Sequence, residues 1–287
     1  NYHSRTPVVS TTTSNISLAD AAAIGGVLAG AGMPTSLAGG ILQSAALGNG
    51  SYYLEYPEDI RLYGASFSTT LPTGTAWSGE ISYRPNAPVQ INTYDLTRAM
   101  LNPIAGGVAS PVQTSPGADN RGYNRKEITQ IQTTFTHFFD QVLGAGRVTV
   151  IGEVGYAHVG GLESKDEMRY GRDSIYGSVD DPVQLAAYGD DGFVTADSWG
   201  YRLRAIADYN NVFAGINLKP NLSFSHDVDG YGPNGLFNEG SKAVSIGLDA
   251  EYQNMYTASL SYTDFFGGDY NTLVDRDFLA FSVGVNF

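Results

Sequence analysis

Residues 244–252 alternate strictly: Val244, Ile246, Leu248, Ala250 and Tyr252 are separated by Ser245, Gly247, Asp249 and Glu251. After Gln253-Asn254 the pattern resumes, with Tyr256, Ala258, Leu260 and Tyr262 against Thr257, Ser259, Ser261 and Thr263. The last segment repeats it, setting Leu279, Phe281, Val283, Val285 and Phe287 against Ala280, Ser282, Gly284 and Asn286. A period of two gives each strand one apolar and one polar face. Six further strands of the same kind are expected near 60–70, 75–85, 127–139, 147–159, 198–209 and 212–226. In 60–70 both faces are partly apolar. A water-soluble sandwich would alternate in the same way, so the pattern alone leaves the surrounding medium open.

The connections narrow it. Short turns fall near Leu71–Gly74, Asp140–Gly146, Asn210-Asn211 and Gln253-Asn254, and long ones near 10–57, 86–125, 160–197, 227–241 and 266–276. Several structureless loops of more than about 15 residues are unusual in a soluble domain. Outer-membrane barrels have short periplasmic turns, long outer loops and aromatic girdles at both interfaces. Here Tyr, Trp and Phe often end the apolar faces. The expected fold is therefore all-β, a transmembrane antiparallel β-barrel, with residues 1–287 forming a single outer-membrane domain with long extracellular loops.

If Phe287 ends in the periplasm, strand 60–70 descends, and an ascending strand must precede it. Residues 1–9 are too short for that, because a tilted span needs about 9–11 residues before any girdle. A barrel must also close, since an open edge in lipid leaves its hydrogen bonds unmet. The chain is thus expected to be the C-terminal portion, about nine or ten strands, of a larger barrel. Its remaining strands would lie upstream of Asn1, be cleaved away, or come from another chain. By likeness to the class, the final aromatic strand is what the barrel-assembly machinery reads.

Composition changes the picture in three places. With 16 Lys and Arg against 29 Asp and Glu, the net charge is −13, which excludes a general nucleic-acid binder because phosphate contacts need clustered cations. The chain has no cysteine, so neither disulfides nor thiolate metal sites are possible. Hydrophobic residues reach 42%, yet no run of about 18 apolar residues is present to make a transmembrane helix. The apolar content is dispersed, as strands would have it.

Residues 14–48 are rich in Ala, Gly and Leu, with helix starts at Ser17/Asp20 and Thr35-Ser36 and a break at Gly30–Pro34. They predict a helical hairpin, an extracellular loop or plug. Its Leu18, Ile24, Val27, Leu28, Leu37, Ile41 and Leu42 either pack on neighbouring loops or form a greasy point of access for a hydrophobic compound. Loop 160–197 is acidic, with Glu163, Asp166, Glu167, Asp173, Asp180, Asp181, Asp190, Asp191 and Asp197 against Lys165, Arg169 and Arg172. Its spacing fits no standard calcium loop, which favours a solvated outer face over a divalent-cation site.

No catalytic constellation stands out. His3, His137, His158 and His226 lack metal-ligand spacing, and G-x-S-x-G, P-loop and G-x-G-x-x-G motifs are absent. His137 fits an interfacial position. The chain is read as a non-enzyme with no catalytic, metal or cofactor site. Alternation points Glu80, Arg84, Glu153, Arg202, Arg204, Asp208, Lys219, Asp249 and Glu251 inward. Such lumen-lining charges either pair across a filled interior or line a selective channel.

The stretches YPEDIRLYGASFSTTLPTGTAWSGEISYRPNAPVQ (56–90), YDLTRAML (94–101), IGEVGYAHV (151–159) and LKPNLSFSHDVDGYGP (218–233) resemble one proteobacterial outer-membrane family. It is common in Pseudomonas and its relatives and is known as domain of unknown function 1302. The opening NYHSRTPVVS is similar to that family's mid-chain strand-to-loop junction. The resemblance implies longer members with a signal peptide and further upstream strands, and no established catalytic residues. It also implies gene neighbours that include a periplasmic lipid carrier and an RND-type inner-membrane transporter, hence traffic of lipids or other hydrophobic molecules.

Three functions are expected in order: outer-membrane transport of a hydrophobic or lipid-like molecule, a general or weakly selective porin, and a structural or adhesive barrel acting through its acidic loops. The corresponding partners are outer-membrane lipids and lipopolysaccharide, the barrel-assembly machinery, and that carrier and transporter.

Overall fold

A computed structural model describes residues 1–101, 110–112 and 114–286. Phe287, and part of the connection read at 86–125, lie outside the described residues. Along the chain run β1 (Val8–Thr12), α1 (Leu18–Gly30), α2 (Thr35–Asn49), β2 (Ser51–Glu55), β3 (Tyr63–Thr70), β4 (Ala76–Gln90), α3 (Thr93–Ala99), β5 (Asp119–Asn120), β6 (Tyr123–Asp140), β7 (Arg147–Gly160), α4 (Pro182–Tyr188), β8 (Asp197–Phe213), β9 (Ile216–Asp229), β10 (Lys242–Tyr252), β11 (Tyr256–Phe266) and β12 (Phe278–Val285). Strands take 49% of the chain and helices 17%, so the fold is mostly β. It divides into two compact units.

The first unit comprises Asn1–Leu62, Arg84–Glu127 and Gly160–Val194. Its small sheet has the order β2-β1-β5, with Val8 opposite Glu55 and Thr12 opposite Ser51. Segment 10–57 is therefore not simply a loop carrying helices, because two short strands flank the hairpin. Ala46, Ile60, Val89, Ile91, Leu96 and Ala99 are buried. The Gln90 side chain extends the sheet's hydrogen bonding: its Oε1 accepts from Val9 N at 2.6 Å, and its Nε2 donates to Val9 O at 3.0 Å. Helix α1 begins with a capping box, in which Ser17 and Asp20 each accept from the other's backbone N–H. The break at Gly30–Pro34 lies between α1 and α2.

The second unit comprises Tyr63–Tyr83, Ile128–Val159 and Thr195–Phe287. It holds an antiparallel sheet ordered β12-β11-β10-β9-β8-β7-β6-β4-β3, and these nine strands are the ones whose alternation the sequence carries. No pairing joins the edge strands β3 and β12 among the described residues. Every residue of β3 is exposed, in keeping with its two partly apolar faces.

Register is continuous over most of the sheet. Val150 pairs with Ala205, Ala205 with Leu222 and Leu222 with Ile246, making an apolar row across four strands. Side chains on that face are open: Ile246 is 62% exposed, Leu279 69%, Phe281 70% and Val283 72%. Aromatic rings bracket the aliphatic band. Near the long loops Tyr156 pairs with Trp199, and the Tyr201 and His226 rings lie 5.6 Å apart. Near the short turns Trp77 stacks on Phe135 at 5.8 Å and Tyr252 on Tyr256 at 6.3 Å.

One turn differs from expectation. Asn210 and Asn211 lie inside β8, which runs on to Phe213, and the reversal falls at Ala214-Gly215. Asn211 does adopt a left-handed φ of 50°, which asparagine tolerates. It does so at a bulge between Tyr209 and Phe213, where an extra residue also needs that conformation. The other long strands likewise overrun the expected ends, and β9 reaches Asp229.

Candidate functional site on the polar sheet face

The face opposite the apolar rows is lined with hydroxyls and charges. Cross-strand pairing sets Glu153 against Arg202 and Arg202 against Ser225. The next row joins Ile151, Arg204, Ser223, Ser245 and Thr263. Nearer the short turns, Arg147 faces Asp208, and Lys219 faces Asp249. Glu251 pairs with Asn217 and Thr257. A one-residue slip anywhere would reverse a strand's faces. At the long-loop end the register shift between Trp199 and Gly200 is accommodated by glycine: a Cβ on Gly200 would lie 2.7 Å from His226 O.

Glu80 joins this face by parity. Trp77 Nε1 donates to Thr133 Oγ1 at 2.8 Å, placing odd positions of β6 with Trp77. Even positions Gln132 and Thr134 reach Glu153 Oε2 at 2.8 and 3.3 Å, so Glu80, one face away from Trp77, shares theirs. Seven of the nine charges expected to point inward (Glu153, Arg202, Arg204, Asp208, Lys219, Asp249 and Glu251) thus line one face of β7–β10, and Glu80 joins them from β4. Arg84, further along β4, belongs to the first unit.

Many of these charges already have partners. Arg202 Nη2 lies 2.7 Å from Asp227 Oδ1 and Lys219 Nζ 3.9 Å from Asp208 Oδ1, while Asn221 donates to Asp249 at 3.1 Å. The sequence places Asp227 in the connection 227–241, whereas it belongs to β9. Its signal was the continuing alternation Ser223, Ser225, Asp227, which carries β9 past the expected end. Arg204 has no hydrogen-bond or ion-pair partner among the described residues. It opens into a groove of about 270 Å3 with Glu153, Arg202, Ser223, Ser225 and Ser245. A second groove of about 320 Å3 is lined by Lys219, Asp249, Glu251, Thr257, Ser259 and Ser282. The arrangement suits polar or charged groups lying along the sheet.

The first unit holds the hairpin and most of the acidic loop. Leu18, Ile24, Val27, Leu37 and Ile41 are exposed, and Leu28 and Leu42 are half-buried. Eight of the nine loop carboxylates, all but Asp181, are exposed, and several of them also serve the protein itself. Asp173 and Asp181 cap short helices, and Lys165 pairs with Asp191 at 2.7 Å. Arg169 is buried and donates to both oxygens of Asp95, at 2.7 and 2.8 Å, and to Asp180 at 2.8 Å. Burial opposes its charge, but its hydrogen bonds to Asp180 and Asp95 outweigh that and raise the guanidinium pKa. Hydrogen bonding from Arg169 holds Asp180 below the ordinary carboxylate value. Lys126 Nζ donates to Glu163 at 2.6 Å, and Tyr170 donates to the same carboxylate at 2.8 Å. Burial pushes Glu163 up, and these two donors more than reverse it.

Both lowered carboxyls make a pH prediction. Their stabilising effect is complete above the unfolded values of 3.8 and 4.5, and it is lost as pH falls through the lower folded values. Amide exchange in residues 161–180 is expected to stay slow at pH 5 to 7 and to quicken below about pH 4. Protection unchanged down to pH 2 would show that neither ion pair holds this loop.

No curated protein and no solved structure matches the chain. A family model described as "Protein of unknown function (DUF1302)" matches residues 1–287, and the chain belongs to that family.

Proposed function

We propose that this chain forms the wall of an outer-membrane β-barrel that passes a hydrophobic or lipid-like molecule along its charged inner face. One observation carries the reading. Over nine strands, one face is an uncovered aliphatic band between two aromatic belts, and the other carries hydroxyls and charges. In water such an apolar expanse would be a liability, whereas in a bilayer it is the expected outer surface. Its height also fits. Trp199 to Tyr209 is ten steps of about 3.3 Å, and a tilt of about 40° reduces that to roughly 25 Å, the height of a barrel's apolar band. The lipid-like cargo is supported by the apolar hairpin of α1 and α2, whose one charge is Asp20 in the first turn. The resemblance noted above adds a periplasmic lipid carrier and an RND-type transporter as candidate partners. The two grooves on the charged face favour a second reading, a porin.

Reconstituting the full chain into vesicles separates the two. Transfer of a fluorescent acyl-chain probe without steady conductance is the expected result, and Arg204→Glu should slow that transfer. Steady single-channel conductance with no probe transfer would establish the porin reading instead.

A further inference from the structure

Between Asp20, in the first turn of α1, and Glu55 the chain has no charged residue, and this stretch contains all of α2 and the rest of α1. We infer that the α1–α2 hairpin lies in the lipid of one membrane leaflet, with acyl chains as its covering. The inference rests on the membrane reading above and goes beyond it, because it assigns the hairpin a medium of its own.

Three features choose lipid over a protein partner. The first is direction. Leu18 and Val27, 61% and 73% exposed, are nine residues apart and at about 100° per residue lie on opposite sides of α1. On α2, Leu37, Leu42 and Leu47 are five apart and divide the circumference roughly in three. Leu37 is 55% and Leu47 38% exposed. The glycines are open too: a Cβ on Gly26, Gly30, Gly39 or Gly40 would meet nothing within 4 Å. A docked protein covers one side of a hairpin, while a solvent covers all of it, and a helix apolar all round belongs in an apolar interior or a membrane.

The second feature is charge. A protein interface would ring its apolar centre with polar and charged residues, and no charged residue is available here to match such a rim. The electrostatic complement of a helix pair whose one charge sits in its first turn is an uncharged medium. Charges return only at Asp20 and Glu55, and exposed Tyr52 and Tyr56 stand beside Glu55. Tyrosines so placed suit the headgroup boundary.

The third is length. The 13 and 15 residues of α1 and α2 make rods of about 20 Å, too short for a bilayer core of about 30 Å but sufficient to lie within one leaflet. Among the described residues no helix is long and apolar enough to cross a membrane. The hairpin bend is also closed internally, since Ala31, Gly32 and Met33 all donate back to α1 carbonyls.

The chain has no cysteine, so single labels can be placed on the full protein. Val27→Cys and Leu37→Cys, each carrying an environment-sensitive fluorophore in phospholipid vesicles, should lose most of their emission to a nitroxide on the acyl chains and little to aqueous iodide. Val283→Cys, on the apolar sheet face, is the control. Quenching of the hairpin labels by iodide would overturn the proposal by placing them in water. Quenching by neither agent would overturn it by placing them against protein, including a second copy of the chain. Either result with Val283→Cys still quenched from lipid leaves the membrane reading standing. If Val283→Cys also escapes the lipid quencher, the membrane reading fails, and the hairpin proposal with it.

Discussion

Arg169→Ala is expected to destabilise the first unit by about 3–5 kcal/mol, the range for removing one member of a buried ion pair. The side chains of Arg169 and Asp95 are only 6% and 2% exposed. The change leaves a buried carboxylate facing the vacated space, while Asp180, 34% exposed and still 3.2 Å from Arg98, retains partial compensation. The loss should therefore come mainly from Asp95. Burial already pushes the Asp95 carboxyl up, and Arg169 is the main force holding it down. Without the arginine it titrates higher still. A carboxyl whose folded value exceeds its unfolded one of about 3.9 costs more stability as pH rises between the two, and the cost then levels off. The variant should accordingly suffer more at pH 8 than at pH 5. Replacing both partners, as Arg169→Met with Asp95→Leu, should recover most of the loss, because it leaves no buried charge without a partner. Urea unfolding monitored by cleavage within residues 160–194 measures all three variants. A single-variant loss below about 0.5 kcal/mol, typical of a surface site, would mean that the Arg169 network does not hold the loop.

The Arg169 network also marks the limit of sequence reading. An arginine among carboxylates is visible in the chain, but its bidentate partner is 74 residues away on α3, and no local pattern links them. The buried role of Arg169 is hidden for that reason, although the carboxylates of the loop are exposed as its composition suggests. The three-stranded sheet was hidden for another: β1 and β2 have five residues each and β5 two, too few for alternation to stand out. By contrast, the strands of the large sheet are legible because one physical requirement, two unlike faces, is repeated along all of them except β3. Parity likewise brought Glu153, Arg202, Arg204 and Asp249 onto one face. What parity cannot show is which charge meets which. The Arg202–Asp227 pair depends on β9 continuing through Asp227, and strand ends are where alternation gives way to turn chemistry. Asn210-Asn211 misled in the same way, because a residue suited to a left-handed backbone serves a bulge as readily as a turn.

Leu260 and Ser261 are neighbours on β11 that face opposite ways, and they give the most direct test of the medium. Leu260 pairs with Leu248 and Phe281 on the apolar face, and Ser261 with Gly247 and Ala280 on the polar one. Leu260→Arg should cost about 2–4 kcal/mol if that face meets the bilayer midplane. Ser261→Arg should cost little, because its guanidinium would stay in water. A face buried against protein would also reject Leu260→Arg, so depth must be varied. Tyr256 is on the same face, four residues nearer the turn, in the belt where it stacks on Tyr252. Near an interface an arginine costs only about 0–1 kcal/mol, since its long side chain can reach water. Reversible unfolding in phospholipid vesicles should therefore rank Leu260→Arg well above Tyr256→Arg, with Ser261→Arg close to the parent protein. Equal costs at positions 256 and 260 would remove the depth gradient, and with it the claim that lipid covers this face. A full chain that folds in water without detergent or vesicles would do the same, and the aliphatic band would then need a protein layer to cover it.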